Sequence, residues 1–428
     1  MFTGIGHCVI RLNLGGRILG VVKQLSQSVV PSIVCLAASV LLVADVLMDI
    51  KFSDFLAGSK AYATVRQNIS LKEASYLPPE EAQSQLRDRD GLINLLNSDG
   101  GRTVFNALRR RAPEHTEIVL EKVRLDNANL SGINLVAAQL PWSKMRETNL
   151  SGAKLLGIQM FHCHCQHTNF SDANLSPFKG RITNLGKAFL NGANFTNANL
   201  QKVGLMEASL VEAVFDGAEI GQIDARRASW PYTSLRGVTS RTGPINLEHS
   251  VGAYADLTDA ALKGVKLREA TLTNANLTRT DLSNSRMQNA EMRGVIIDHT
   301  NFKGANLSSA KLYYTDLRTA DMRDANLTDA GLLGVNASEV DFTGATLNFV
   351  NADYANLSGS NLEKVSMKEA ALSGANLSNA NLENADLSYA NLKGAKLVNA
   401  RVKGTVFRGA DLSDVDFTGT NLEEAKLD

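Results

Sequence analysis

Two stretches of this 428-residue chain carry the residue types that do chemistry. In the first, residues 161–167, cysteines at 163 and 165 alternate with histidines at 162, 164 and 167. Zinc prefers thiolate and imidazole ligands, but these must converge on one point. In the five-residue register described below, Cys163 and Cys165 point inward and the histidines point outward. We therefore expect no metal site here, and we treat both cysteines as small core residues.

The second stretch lies between Ala225 and Leu247 and contains arginines and aromatic residues but no acidic residue. Arg, Trp and Tyr are enriched where proteins bind each other. The hydrophobic pattern also changes phase here, which predicts a register-breaking loop at 236–246 that leaves the wall of the fold. An inserted loop without a role is the alternative. We predict that this stretch binds a protein partner through Arg226, Arg227, Trp230, Tyr232, Arg236 and Arg241.

The elements that position these residues follow from a period of five. Large apolar residues recur at almost every fifth position from Leu120 to Leu235, and again, two residues out of phase, from Leu247 to Leu427. A small residue stands two positions before almost every large one. A period of five spreads leucines around all faces of an α-helix and sends them to alternate faces of a flat strand. A chain that turns a corner every five residues instead points all the large apolar residues inward. Each five-residue repeat then forms one side, and four sides close one coil.

Units such as residues 375–379 and 385–389 show the repeat as A-[DN]-L-x-x. Over residues 120–428 this pattern resembles the pentapeptide-repeat family. The resemblance implies an all-β solenoid, a right-handed quadrilateral β-helix of about fifteen coils, with one part at 120–235 and another at 247–428. The family's functions include topoisomerase-binding DNA mimics, bacterial effectors and many cyanobacterial proteins without a known role. The fold therefore leaves the function open.

The start of the chain has a different pattern. Residues 1–25 form a basic segment, and residues 26–50 predict a transmembrane signal-anchor helix, because about 20 apolar residues span a bilayer. Arg11, Arg17 and Lys23 precede this helix, and acidic residues follow it. We expect a single-pass membrane protein whose N-terminus is cytoplasmic and whose β-helix is translocated. A cleaved signal peptide and a buried helix of a soluble domain are the alternatives.

Residues 51–119 predict a helical linker between the membrane segment and the repeats. Pro78-Pro79, followed by Glu80 and Glu81, indicates a helix start, because proline and acidic residues are favoured in the first turn. We expect this block to cap the first coil, since natural repeat proteins cover their exposed sheet edges.

Charge narrows the choice of function. Lys and Arg together number 44, as do Asp and Glu, and residues 120–428 hold only two more acidic than basic residues. A nucleic-acid-binding protein carries a basic excess, and a DNA mimic needs a densely acidic surface. The sequence contains no Gly-rich phosphate loop and no known catalytic motif. We therefore expect no enzyme activity, no cofactor and no nucleic-acid partner.

The favoured function is a membrane-anchored scaffold that binds a protein partner through its β-helix surface or the register-breaking loop. One alternative is a secreted bacterial effector associated with host membranes. Another is a DNA mimic that binds a type II topoisomerase, for which the weak acidic excess is unfavourable. We also expect the coil at the C-terminal end to pair with a second copy and give a homodimer, because an open strand edge recruits further strands.

Overall fold

A computed structural model describes most of the chain, namely residues 69–113, 116–240 and 242–428. The chain divides into two compact units, Met1–Glu114 and His115–Asp428. The predicted basic segment at 1–25 and the predicted transmembrane helix at 26–50 lie outside the described residues. Among the residues that are described, no helix is both long and apolar enough to cross a membrane.

The described part of the first unit is helical. Its helices are α1 (Leu71–Tyr76), α2 (Pro79–Arg87), α3 (Arg89–Leu96) and α4 (Gly101–Arg111). Helix α1 begins with a capping box, in which Ser70 and Glu73 each accept the other's backbone N–H. Helix α2 begins at Pro79 with two acidic residues in its first turn, as the sequence predicts. Helices α1, α2 and α3 all pack against α4. The capping role of this unit stays a prediction.

The second unit is a β-solenoid whose coils are joined by isolated β-bridges. Parallel bridges link residues twenty positions apart, as in Asn129–Asn149 and Asn149–Asn169, along most of the unit. Most coils have four such bridges, one for each five-residue side. The β-solenoid predicted from the period of five is therefore confirmed.

Each side uses its five residues in the same way, as residues 375–379 illustrate. Ala375 and Leu377 are buried, and Asn376 between them bridges the neighbouring coils. The side-chain oxygen of Asn376 accepts the backbone N–H of Ser378 at 3.1 Å, and its amide donates to Asn356 of the preceding coil at 3.3 Å. Asn or Asp is favoured here because its side chain supports the corner turn that follows.

The last residue of each side has a left-handed backbone. Asn379 has a φ of 59°, and its N–H donates to the carbonyl of Val398 in the next coil at 2.8 Å. A left-handed backbone costs an L-residue about 1–2 kcal/mol, although Asn, Asp and especially Gly tolerate it. The corners therefore favour residues that are otherwise typical of turns.

We expect Asn379→Val to lower the free energy of unfolding by about 1–2 kcal/mol, because a β-branched side chain is stiff and poorly suited to this backbone. Asn379→Gly is the matched control and should change stability by less than about 1 kcal/mol. Urea unfolding followed by circular dichroism measures both variants. Equal losses in the two would contradict the explanation.

The core is narrow and is filled from four sides. Phe170, Phe195 and Phe215 occupy equivalent positions in successive coils and stack with ring centroids 4.7 Å apart. This distance equals the strand spacing of a β-sheet, so large side chains of one side pack directly on one another. Buried threonines satisfy their hydroxyl groups within the wall, as where Thr148 donates to the carbonyl of Leu125 at 2.7 Å.

A five-residue insertion interrupts the wall near residue 180. Bridges such as Gln159–Asn184 link residues 25 positions apart, so this coil contains five residues more than its neighbours. The extra residues form a small hairpin, in which Phe178 and Arg181 exchange backbone hydrogen bonds of 2.9 Å. The sequence pattern did not predict this insertion, because five extra residues leave the period of five in phase.

A two-residue insertion produces the phase shift seen in the sequence. Bridges from Asp224–Asn246 to Thr239–Ala261 link residues 22 positions apart. The wall continues through Thr239 and resumes at Asn246, so the loop is shorter than the predicted 236–246. Arg236 therefore lies at a regular corner and not in a loop.

Candidate partner-binding groove

The structure distributes the predicted partner-binding residues over three corners of one coil. Arg226 and Arg227 form the first corner, Tyr232 belongs to the second and Arg236 to the third. Arg241 lies outside the described residues. Residues on different corners of one coil face different directions, so these side chains do not form the single loop surface that the sequence predicted.

Trp230 was predicted to be a contact residue, and this prediction is wrong because the side chain is in the core. It is 2% exposed, and its indole N–H donates to the hydroxyl of Ser250 at 2.9 Å. The indole fills space that Gly252 leaves in the next coil, where an added Cβ would lie 2.4 Å from three ring atoms. Trp230 therefore packs in the core and has almost no exposed surface with which to contact a partner.

The arginines of this coil are partly engaged with acidic side chains. Arg226 forms a two-pronged ion pair with Asp224, with both N–O distances at 2.8 Å. This hydrogen-bonded guanidinium holds the pKa of Asp224 below its ordinary value, although partial burial opposes the effect. Arg236 lies 3.8 Å from a carboxylate oxygen of Asp256. Arg226 is therefore a fixed group rather than a free cation.

Asp224 also lines a groove of about 700 Å³ that crosses four coils. We call this the groove side, the side of the solenoid on which Gln159, Asn184, Gly204 and Asp224 form successive bridges. Gly204 has no side chain, which leaves the floor of the groove low at its centre. The walls are the two adjoining corners of the solenoid, and their residues include Phe161, His162, Lys187 and Met206 on one wall and Ile182, Lys202 and Gln222 on the other.

The five-residue insertion shapes one wall of the groove. The chain returns from the hairpin through Ile182, whose carbonyl accepts the side-chain amide of Gln159 at 2.7 Å. Ile182 is 51% exposed, and Met206 on the facing wall is 42% exposed. Two large apolar side chains therefore stand in solvent on opposite sides of a groove, an arrangement typical of an interaction site.

Aromatic side chains extend the apolar surface along the corner beyond Phe161. Trp142 is exposed, and its ring stacks on that of His162 with centroids 3.9 Å apart and planes 5° apart. Phe161 meets the same imidazole edge-on. On the next side, His164 stacks on Phe189 at 4.8 Å. His162 and His164 are thus held in aromatic stacks.

Cys163 and Cys165 point inward, as predicted, and are fully buried. They are joined by a disulfide, which the sequence did not predict. In the part of the chain that the structure describes, no group of three or more His, Cys, Asp or Glu side chains is arranged to hold a metal ion.

The groove has a mixed electrostatic rim. Lys187 pairs with Glu207 at 3.5 Å, and Arg226 pairs with Asp224. Lys202 forms no ion pair within the described residues. Among the described residues, the groove therefore has apolar side chains on both walls and one unpaired cation, Lys202, at its edge. The sequence signal for this site was the presence of Phe161 and Met206 at corners, where the repeat usually places small or polar residues.

Ion pairs between an aspartate on a side and an arginine at the following corner predict that the solenoid loses stability in acid. Arg226 lowers the pKa of Asp224, and Arg323 likewise lowers that of Asp321 by a side-chain hydrogen bond. A carboxyl whose pKa is lowered by folding stabilises the fold above its unfolded pKa of about 3.9, and the contribution is lost as the pH falls towards the folded pKa. We expect the free energy of unfolding in urea to be nearly constant from about pH 7 to pH 5 and to fall below about pH 4.

The matched control for this acid dependence is Asp321→Asn. It keeps the oxygen that accepts the backbone N–H of Arg323 but removes the titrating charge. The variant should lose less stability between pH 5 and pH 3 than the wild type does. An unchanged slope would show that this carboxylate contributes nothing to the acid dependence.

The repeating wall and its stacked coils define a repeat protein, and sequence comparison identifies the family. The chain belongs to the pentapeptide-repeat family, since the family model described as "Pentapeptide repeats (8 copies)" matches more than half of it. The overlapping matches cover residues 116–176, 183–210, 255–363 and 366–428. The hairpin and the two-residue insertion fall in the gaps between them. No curated protein sequence matches the chain.

Several solved pentapeptide-repeat structures are similar to parts of this chain. HetL, involved in heterocyst differentiation regulation in the cyanobacterium Nostoc sp. strain PCC 7120, is 30% identical over 53% of this chain and 90% of its own length, with a TM-score of 0.32. AT2G44920 from the Arabidopsis thaliana thylakoid lumen is 28% identical over 24% of this chain and 70% of its own, with a TM-score of 0.23. QnrB1, a plasmid-mediated fluoroquinolone resistance protein, is 17% identical over 53% of this chain and 92% of its own length, with a TM-score of 0.24.

Proposed function

We propose that this protein is a scaffold that binds another protein in the groove between Ile182 and Met206. The observation that carries the proposal is the pair of exposed apolar walls built beside an inserted hairpin. Insertions on a rigid repeat frame are frequent carriers of function. The family relationship supports a binding role rather than an enzymatic one.

Site-specific photocrosslinking tests the groove directly. A benzophenone amino acid placed at Met206 of the full chain should give a discrete crosslinked product in cells. The same probe at Glu212, an exposed corner of the same coil that faces another direction, is the control. Ile182→Asp should abolish the product at position 206, because it places a charge in the apolar wall. Equal products at both probe positions would refute the groove as the binding site.

We further propose that residues 26–50 tether the scaffold to a membrane, with the N-terminus in the cytoplasm and the solenoid translocated. The uncharged run and the basic residues before it support this topology. Protease treatment of a C-terminally tagged protein in intact cells, spheroplasts and lysed membranes tests it. Cleavage only after the outer barrier is opened is expected. Protection until detergent is added would place the solenoid in the cytosol and overturn the proposed topology.

Two finer structural features belong to the same proposal. We propose a right-handed quadrilateral β-helix of about fifteen coils, which is supported by the four bridges found in most coils. We also propose that two copies pair through the coil at 408–428, in which the inward-facing Leu412 and Phe417 are only partly buried. Sedimentation analysis of wild type and Phe417→Glu tests the pairing, since a monomer in both cases would rule it out.

A further inference from the structure

A row of tyrosines follows one corner of the solenoid, away from the groove side. Its members, Tyr232, Tyr254, Tyr314 and Tyr354, each stand second in the corner that follows the same side of the coil. We call these four residues the tyrosine row. With Tyr313 beside it, this one corner carries five of the chain's eight tyrosines. The two-residue insertion hides the alignment in the sequence, because it separates the first two members by 22 residues instead of 20.

The rings of the tyrosine row lie along the solenoid. Tyr232 and Tyr254 stack on each other, with centroids 5.0 Å apart and planes 7° apart. Tyr314 and Tyr354 each cover a glycine of the next coil, where an added Cβ would lie 2.6 Å and 2.9 Å, respectively, from ring atoms. Both rings nevertheless remain 74% and 72% exposed. Each is therefore held against the backbone and keeps a large area open to solvent.

The corner that carries the row contains little charge, and Glu291 and Lys311 on the side before it pair with each other at 3.0 Å. Of the fourteen corner residues between Pro231 and Tyr354, only Arg293 and Asp353 are charged, and Arg293 pairs with Glu291 at 2.8 Å. A single-stranded nucleic acid also stacks on aromatic residues, but its phosphates require a basic groove. The charge pattern therefore favours a neutral ligand.

The shape of the row favours a linear ligand. The row crosses six coil spacings, about 29 Å at the usual strand separation, and is one or two side chains wide. A globular protein partner normally buries about 800 Å² on each side, which is far more than so narrow a strip offers. A proline-rich peptide docks in an aromatic groove, whereas this surface is a convex corner. An extended chain that contacts one ring after another fits these dimensions.

We propose that the tyrosine row binds a neutral, extended polysaccharide. The C–H bonds on the flat side of a sugar ring carry partial positive charge and stack on the electron-rich face of an aromatic ring. Tyr314 and Tyr354 are two coil spacings apart, about 9.6 Å, which is comparable to the length of an extended disaccharide. This site is separate from the groove, so the two binding activities can be lost independently.

Affinity electrophoresis of the full chain in gels that contain hydroxyethyl cellulose, glucomannan, laminarin or dextran tests the proposal. We expect retardation by at least one of these glycans. Tyr314→Ser combined with Tyr354→Ser should weaken binding by about tenfold or more, because two stacking contacts are removed. The corresponding pair of Tyr→Phe substitutions keeps both rings and should retain most of the binding.

Tyr389 supplies a matched control. Its ring covers Gly409 in the same way, with the added Cβ 2.7 Å from ring atoms, but it lies on a different corner. Tyr389→Ser should therefore leave glycan binding unchanged. An equal loss in Tyr389→Ser, or a wild-type chain that none of the four glycans retards, would overturn the proposal.

A second measurement needs no substitution. Nitration of the wild-type chain with tetranitromethane, read by peptide mass spectrometry, should be suppressed at Tyr314 and Tyr354 by the retarding glycan and unchanged at Tyr389. Equal nitration of all three with and without the glycan would also overturn the proposal. Neither readout depends on the protein-binding groove.

Discussion

Trp230→Ala is expected to lower the free energy of unfolding by about 3–5 kcal/mol, the usual cost of removing a buried aromatic side chain from a core. The substitution empties the centre of one side and leaves the hydroxyl of Ser250 without its indole donor. The neighbouring position does not compensate, because Gly252 contributes no side chain. Chemical denaturation measures the loss, and hydrogen exchange should locate it in the coils next to residue 230, since repeats contact only their neighbours.

Gly252 provides the control that separates packing from other effects. Gly252→Leu alone should also destabilise the protein, by about 1–3 kcal/mol or more, because its Cβ would meet the indole at 2.4 Å. Combining Trp230→Leu with Gly252→Leu should recover most of the stability, since leucine fills this position in neighbouring coils such as those of Leu210 and Leu272. A double-mutant cycle of Trp230→Leu, Gly252→Leu and their combination measures the coupling between the two positions. Simple additivity of the two losses would contradict the packing explanation.

The same pair of residues shows what the sequence could and could not predict. The period of five places a large residue at position 230 and small ones beside it, so the wall and its core follow from the pattern alone. Trp230 was assigned to a partner surface because of its residue type, although its place in the register already put it in the core. Register is therefore better evidence than composition in a repeat fold, because it determines which way a side chain points.

The candidate site depended on features that the register conceals. Five inserted residues leave the phase unchanged, so the hairpin at Phe178 produced no phase shift, and only the irregular unit with Phe178 in the small position and Gly180 in the central one marked it. The two-residue insertion, in contrast, shifts the phase of the hydrophobic pattern. The shift made the whole stretch from Ala225 to Leu247 look unusual, although the regular wall continues through Thr239 and resumes at Asn246. It also moved Tyr232 out of phase with Tyr314 and Tyr354, which concealed the row that they share in three dimensions.

Removing the hairpin should abolish partner binding and leave the fold intact. Deletion of residues 178–182 together with Pro177→Gly restores a twenty-residue coil and leaves a Ser-Gly corner, as at residues 131–132 and 151–152. Because the deletion has the length of one repeat, all later residues keep their sides and corners. Shortening a surface loop changes the entropy of closure only slightly, so we expect stability to change by less than about 1 kcal/mol.

The deletion removes Ile182, the exposed apolar residue of its wall, and leaves Lys202 and Gln222 in place, so the crosslinked product at position 206 should disappear. Ile182→Ser with the hairpin kept in place is the matched variant, and it should give an intermediate loss if the apolar contact and the hairpin backbone both contribute. Thermal unfolding of each variant confirms that the coil is folded. Undiminished crosslinking at position 206 in a folded deletion variant would show that the partner binds the solenoid without the groove. In that event the smooth repeat surface, rather than its insertion, would carry the function.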